Sequence, residues 1–149
     1  MTAAVGGAHA LSMDEVQDDI VNEMSGLPDA LAKYEYLVRL GRELEVPDED
    51  VRLDAHSVAG CQSRVWIRTE LRAGRLHIAA DSDALITRGI IVLLLRVLDG
   101  RPLREILRTE LRFLDRTGLS AHLSPARANG LAAMVRRIRQ CAEEASGLV

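Results

Sequence analysis

Residues 64–78 read Arg64-Val65-Trp66-Ile67-Arg68-Thr69-Glu70-Leu71-Arg72-Ala73-Gly74-Arg75-Leu76-His77-Ile78. Successive side chains of a strand point to opposite faces, so Val65, Ile67, Thr69 and Leu71 share one side of this stretch. Arg64, Trp66, Arg68 and Glu70 share the other. Ala73-Gly74 supplies a turn, after which Leu76 and Ile78 resume the apolar side. The stretch predicts an antiparallel hairpin with one face on a core. The change to period two begins at Val51, which carries the same expectation into the residues ahead of the hairpin.

On both sides of the hairpin the spacing is helical. Residues 13–24 are acidic, with Val16, Ile20 and Val21 as the apolar side of a short helix. Leu27-Pro28-Asp29 opens a second helix, in which Leu31, Tyr34, Leu37, Val38 and Leu44 recur at helical intervals before Pro47 closes it. Asp81-Ser82-Asp83 offers capping side chains ahead of residues 84–98, which are apolar nearly all round and predict a central buried helix. Asp99-Gly100 stops that helix, Pro102 starts a short one, and residues 111–117 give another that ends at Gly118. Ser124-Pro125 opens the last helix, whose stripe is Leu131, Met134, Val135, Ile138, Ala142 and Ala145. The class is α+β, a small antiparallel sheet packed against helices. Residues 13–149 read as a single domain behind a disordered leader over residues 1–12.

Composition narrows the function. A chain of 149 residues with 48% hydrophobic and 28% charged residues buries a core without disulfides, as a soluble globular domain does. A net charge of −3 lacks the basic excess that nucleic-acid binding requires. The cations are nearly all arginine, Lys33 being the only lysine, and they scatter along the chain. The longest apolar run, residues 89–95, is far too short to span a membrane. Cys61 and Cys141 stand too far apart to form a disulfide framework, and residues 1–10 lack a secretory signal. A cytoplasmic location is the expectation.

Cys61 is the candidate nucleophile. It lies in Ser57-Val58-Ala59-Gly60-Cys61-Gln62-Ser63-Arg64, a run of small residues leading into the first strand. With no second cysteine at metal-ligand spacing, a reachable thiol points to sulfur chemistry. A cysteine nucleophile needs a thiolate, room for close approach, and positive charge or donors nearby. Gly60 and Ala59 give the room, and Gln62 and Ser63 offer donors. The plainer alternative is a buried structural cysteine. Cys141, beside the apolar stripe of the last helix, reads as such a small hydrophobe.

Two further segments stand out. In His122-Leu123-Ser124-Pro125-Ala126-Arg127, Ser124 is the cap, so Arg127 falls in the first helical turn. The helix dipole there repels a cation by roughly 0.3–1 kcal/mol. An arginine so placed either draws an anion such as a thiolate toward the helix or reaches sideways to a carboxylate. Asp81-Ser82-Asp83-Ala84 leading into Arg88-Gly89 is the other segment, and helix capping accounts for at least one of its acids.

The three segments in this order, over residues 33–139, resemble the SufE family, the persulfide-accepting partners of cysteine desulfurases in iron–sulfur cluster assembly. In that family a His-Leu-Ser/Thr-Pro-Ser-Arg segment and a Gly-Leu pair recur. Here they are residues 122–127 and Gly130-Leu131, with Ala126 where serine is usual. The resemblance implies an α+β fold shared with IscU-type scaffolds, the cysteine on a loop at one end of the sheet. It implies that Cys61 carries persulfide sulfur, that Gly60, Gln62, Ser63 and Arg127 support it, and that Asp83 lies against the loop as a partner contact. The chain would act as carrier and activator for a cysteine desulfurase, without being an enzyme itself, and pass sulfur to an assembly scaffold. It would hold no metal or cofactor of its own, because pyridoxal phosphate belongs to the desulfurase. It would not meet nucleic acid or membrane, and a weak homodimer stays open. The competing readings are a metal or iron–sulfur scaffold, with His56 and His122 joining Cys61, and a cysteine hydrolase. The chain cannot be the desulfurase, since Lys33 is its only candidate for a Schiff base and no domain is left to hold the cofactor.

Overall fold

The computed structural model describes residues 11–147. The expected leader lies outside the described residues as far as residue 10, while Ser12 already caps the first helix. The predicted hairpin joins β1 (Val65–Arg72) to β2 (Arg75–Ser82) in antiparallel register, from Val65 opposite Ser82 to Arg72 opposite Arg75. Ala73 and Gly74 take φ of 52° and 76°. Two successive left-handed residues make the turn whose twist matches that of paired strands. A two-residue strand that the sequence does not announce, β3 (Arg101–Pro102), adds to the far side of β2.

Helices surround this sheet. α1 (Met13–Ser25) and α2 (Ala30–Glu43) precede it, and α3 (Leu85–Leu98) follows the hairpin. After β3 come α4 (Leu103–Arg108), the single turns α5 (Phe113–Arg116) and α6 (Leu119–His122), and the long α7 (Pro125–Ser146). No helix among the described residues is long and apolar enough to cross a membrane. As its all-round apolarity predicts, α3 is the centre: Ile90, Ile91, Leu93, Leu94, Val97 and Leu98 are all buried.

Two glycines let α2 and α3 touch backbone to backbone. A Cβ on Gly41 would fall 2.1 Å from the Leu85 carbonyl oxygen, and one on Gly89 would fall 2.0 Å from that of Leu37. Only a bare Cα fits at either place. The crossing also explains a departure from the sequence pattern. Leu37 and Leu44 are buried, but Leu31 and Tyr34, on the same predicted stripe, lie 66% and 50% exposed, because the face that α2 buries runs through Tyr36, Leu37 and Gly41 instead. In α1 the inward positions are Met13, Gln17, Ile20 and Met24, with Val16 and Val21 only half-buried. Gln17 is tolerated inside because its amide donates to the Glu110 carbonyl at 3.1 Å and accepts from the Phe113 N–H at 3.0 Å.

Two expectations fail for electrostatic reasons. Residues ahead of the hairpin are not extended from Val51 but form two 3-10 turns, Glu49–Arg52 and Asp54–His56. The Asp48 carboxylate accepts from the Asp50 N–H at 3.0 Å and curls the chain at the start of the first turn. This segment covers the outer face of the sheet, where Trp66 is only 2% exposed. Arg52 and Arg64 lie over its ring at 4.7 and 4.8 Å from the centroid.

The Asp81-Ser82-Asp83 segment is likewise not a helix cap. Ala84 occupies the N-cap of α3 with no side-chain hydrogen bond. Asp81 is buried and pairs with Arg88 and, at 2.7 Å, with Arg52. Arg88 continues to the Gly41 and Leu44 carbonyls at 3.0 and 3.3 Å, tying the end of α2 to α3 and β2. The last helix behaves as read: Ser124 Oγ accepts from the Arg127 N–H, and Pro125 fills the first turn.

Candidate functional site

The segment between the 3-10 turns and β1 is a short loop closed at its base. Val58 N–H donates to the Val65 carbonyl at 2.9 Å, and Ser57 pairs with Trp66. Both valines are buried, so the loop has an apolar foot, and Cys61 stands near its tip. Gly60 turns the chain just ahead of it with φ of 90°, a conformation that favours glycine. Arg137 on α7 clasps the incoming strand from outside, donating to the Ser57 and Ala55 carbonyls at 3.1 and 3.3 Å.

Cys61 rests against the second turn of α7. Its Sγ is 3.6 Å from the Gly130 carbonyl oxygen, in the position of an S–H donor. Gly130 makes the approach feasible, since its Cα faces the cysteine with no side chain between. A shallow pocket of about 10 Å³ opens beside the sulfur, room for about one water. Val65, Ile90, Leu131 and Met134, all buried, line it with Thr87, while the more exposed Gln62, Ser63, Ala126 and Arg127 form its rim. The thiol is half-buried and its pKa is raised, chiefly by burial, with the positive charge of Arg136 working the other way. At rest Cys61 is therefore a protected thiol, and attack by it requires loss of that proton.

The structure brings Cys61, Gln62, Ser63 and Arg127 to one pocket, with Gly60 as the hinge beside it. Gln62 and Ser63 are not donors to the sulfur as anticipated, because the Cys61 contact runs toward an acceptor, the Gly130 carbonyl. Arg127 is at the rim, and among the described residues its guanidinium has no ion-pair partner. Asp83 is one step removed. Its carboxylate accepts from the Arg64 N–H at 3.1 Å, and Ser82 Oγ donates to the Arg64 carbonyl at 2.7 Å. The two hold the loop where it enters β1.

Thr87, Gly130 and Arg136 are neighbours of the sulfur that the sequence does not reveal as such. Only Gly130 leaves a trace, as a glycine set inside an otherwise strong helix. Cys141 is half-buried eleven residues further along α7, about 16 Å from Gly130 at 1.5 Å per residue. That is far beyond disulfide reach of a sulfur resting on Gly130. Among the described residues no group of three or more His, Cys, Asp or Glu side chains converges as a metal site would require. His56 turns instead to the Asp50 and Val51 carbonyls, and the side chain of His122 lies outside what is described.

Comparison with known proteins places the whole chain. The Fe-S metabolism associated domain that defines SufE proteins matches residues 18–142. The chain belongs to the SufE family. It is 35% identical over 131 residues to a SufE-like protein of Rhizobium meliloti, covering 85% of this chain and 94% of that one. It is 36% identical to a SufE-like protein of Synechocystis over 111 residues, 74% of this chain and 70% of that one. A third SufE-like protein, from Arabidopsis thaliana and described as chloroplastic/mitochondrial, is 37% identical over 123 residues. That match spans 82% of this chain but only a third of the longer plant protein. The α+β fold is shared with the solution structure of a hypothetical protein from Thermus thermophilus, at a TM-score of 0.72 and 20% identity. The superposition covers 89% of this chain and 96% of that one.

Proposed function

We propose that this SufE-family chain is a sulfur carrier. Cys61 takes sulfane sulfur from the persulfide of a pyridoxal-phosphate cysteine desulfurase, stimulates that enzyme by unloading it, and passes the sulfur to an iron–sulfur assembly scaffold. The observation that carries the reading is a single cysteine at the tip of a stapled loop, pocketed against α7 with Arg127 and Arg136 close by. The family's association with Fe-S metabolism supplies the chemical setting.

In the transfer the Cys61 thiolate attacks the outer sulfur of the donor persulfide. A new S–S bond forms to Cys61, the donor's S–S bond breaks, and the donor leaves as a thiolate. The sulfane sulfur keeps its oxidation state, so neither an oxidant nor a reductant is needed. Pyridoxal phosphate acts in the desulfurase, and this chain's contribution is the acceptor sulfur and the surface that receives the donor. Because the resting thiol is held protonated by burial, docking has to expose it or bring a base.

The test is intact mass after incubation with a cysteine desulfurase, pyridoxal phosphate and cysteine. The expected result is a gain of one sulfur, removed by a thiol reductant and absent in Cys61→Ser. Cys141→Ser should load like the wild type. Undiminished stimulation of the desulfurase by Cys61→Ser would overturn the carrier reading.

A further inference from the structure

The segment that carries Cys61 lies along one face of α7. Gly130, Ala133 and Arg137 are three and four positions apart, so they share that face over about 10 Å at 1.5 Å per residue. They meet the segment in reverse chain order. Cys61 Sγ rests on the Gly130 carbonyl at 3.6 Å. Gly60 passes over Ala133, whose Cβ is 3.5 Å from where a Cβ on Gly60 would stand. The half-buried Arg137 then donates to the Ser57 and Ala55 carbonyls at 3.1 and 3.3 Å.

The loop is held unequally on its two sides. Toward the sheet, Val58 N–H, Asp83 and Ser82 Oγ fix it through the Val65 carbonyl and the Arg64 backbone. Toward α7, among the described residues, its hydrogen bonds are the Cys61 contact and the Arg137 pair. A thiol is a weak donor, whereas a guanidinium bond is charge-assisted and its planar fork spans two acceptors. We infer that Arg137 is a positioning residue: by tying residues 55 and 57 to α7 it holds the Cys61 loop down on Gly130 and limits access to the sulfur. The inference rests on the carrier reading only in taking Cys61 as the working thiol. When Cys61 carries a further sulfur, Sγ has no hydrogen left to give Gly130. Among the described residues the Arg137 fork is then the hydrogen-bonded tie that remains between loop and helix. The adjacent arginines thus divide the task, Arg136 acting on the charge of the thiol and Arg137 on the place of the loop.

The experiment is iodoacetamide labelling of the full chain at one fixed pH, followed at each cysteine by peptide mass mapping. Wild type, Arg137→Met and Arg137→Lys are compared, methionine keeping much of the stem without donors and lysine keeping both charge and a donor. Cys141, one turn beyond Arg137 on α7, reports any loosening of the helix itself. Arg137→Met should label Cys61 about tenfold faster, the scale of one lost hydrogen bond, with Cys141 unchanged. Loss of charge alone has the opposite sign, because removing a cation disfavours the thiolate and slows alkylation. Arg137→Lys should label Cys61 more slowly than Arg137→Met. Cys61 labelling in Arg137→Met at the wild-type rate or below, an equal acceleration at Cys61 and Cys141, or a lysine variant as fast as the methionine one would each overturn the role. Sulfur loading enters none of these readouts, so the two readings fail separately. A wild type that gains no sulfur on Cys61 from a desulfurase would overturn the carrier and leave the tie standing.

Discussion

The Cys61 sulfur and the Gly130 carbonyl oxygen lie 3.6 Å apart, and a methyl group added to Gly130 would stand at the same distance from that sulfur. The wall of the thiol's resting place is thus helix backbone. A carbonyl oxygen carries partial negative charge, so it favours the protonated sulfur and opposes the thiolate. It acts in the same direction as the burial that raises the Cys61 pKa.

Reactivity of the free protein should follow from that. Alkylation of Cys61 by iodoacetamide is expected to rise with pH about a midpoint above the ordinary thiol range. Arg136→Ala should move the midpoint higher still, because the Arg136 charge lowers it. The linked effect on stability has a definite sign. A native pKa raised above the unfolded one means that the folded chain holds its proton more tightly. The contribution is therefore complete below the unfolded thiol pKa and lost as pH climbs through the native value. A midpoint below that of an unfolded cysteine peptide would contradict this environment.

Arg127 gives a test of function separate from folding. Its backbone N–H is taken by the Ser124 cap, but its guanidinium stands at the pocket rim with no ion-pair partner among the described residues. Arg127→Ala should leave the melting temperature within about 2 °C, since surface changes away from special features fall within about 0.5 kcal/mol. Sulfur acceptance from the desulfurase should slow roughly tenfold, the scale of one charge-assisted contact. Parallel losses of stability and acceptance would reduce Arg127 to a structural residue.

What the sequence makes legible here is what neighbouring residues decide. The Ala73-Gly74 turn, the Ser124-Pro125 helix start and the burial of α3 each depend on local backbone preference or on a continuous pattern. Residues 81–83 mislead because the same carboxylates that cap a helix also answer other partners. Which they do depends on the Arg52 and Arg88 side chains reaching Asp81, and on the Arg64 backbone N–H reaching Asp83. Cys61 stands out by its small-residue setting, yet its contact with Gly130 spans 69 positions, and no local spacing encodes it.

The two acids of residues 81–83 should accordingly behave differently. Asp81 has a side chain only 5% exposed between Arg52 and Arg88, so Asp81→Asn leaves a partly buried guanidinium without its counter-charge. A loss of about 3 kcal/mol is expected in urea denaturation. Asp83 is exposed and accepts a backbone N–H, a task that an amide oxygen performs equally well. Asp83→Asn should cost less than about 0.5 kcal/mol. Equal effects of the two substitutions would mean that Asp81 is not the tie between α2, α3 and the sheet.

The glycines set a final contrast, between a site that admits a methyl group and one that does not. Alanine in place of glycine inside a helix gains up to about 1 kcal/mol from backbone preference alone. At Gly130 nothing lies closer than 3.6 Å to the added carbon, so Gly130→Ala should be at least as stable as the wild type. At Gly89 the added carbon would fall 2.0 Å from the Leu37 carbonyl oxygen and 2.9 Å from its Cα, all of it backbone that cannot rotate away. α2 and α3 would have to part, and overpacking of this kind costs about 3 kcal/mol or more, well beyond the helical gain. Gly89→Ala should thus lower the urea midpoint clearly, and Gly41→Ala likewise, since its added carbon meets the Leu85 carbonyl oxygen at 2.1 Å. If Gly89→Ala and Gly130→Ala unfolded at the same urea concentration, α2 and α3 could not cross as closely as the fold requires.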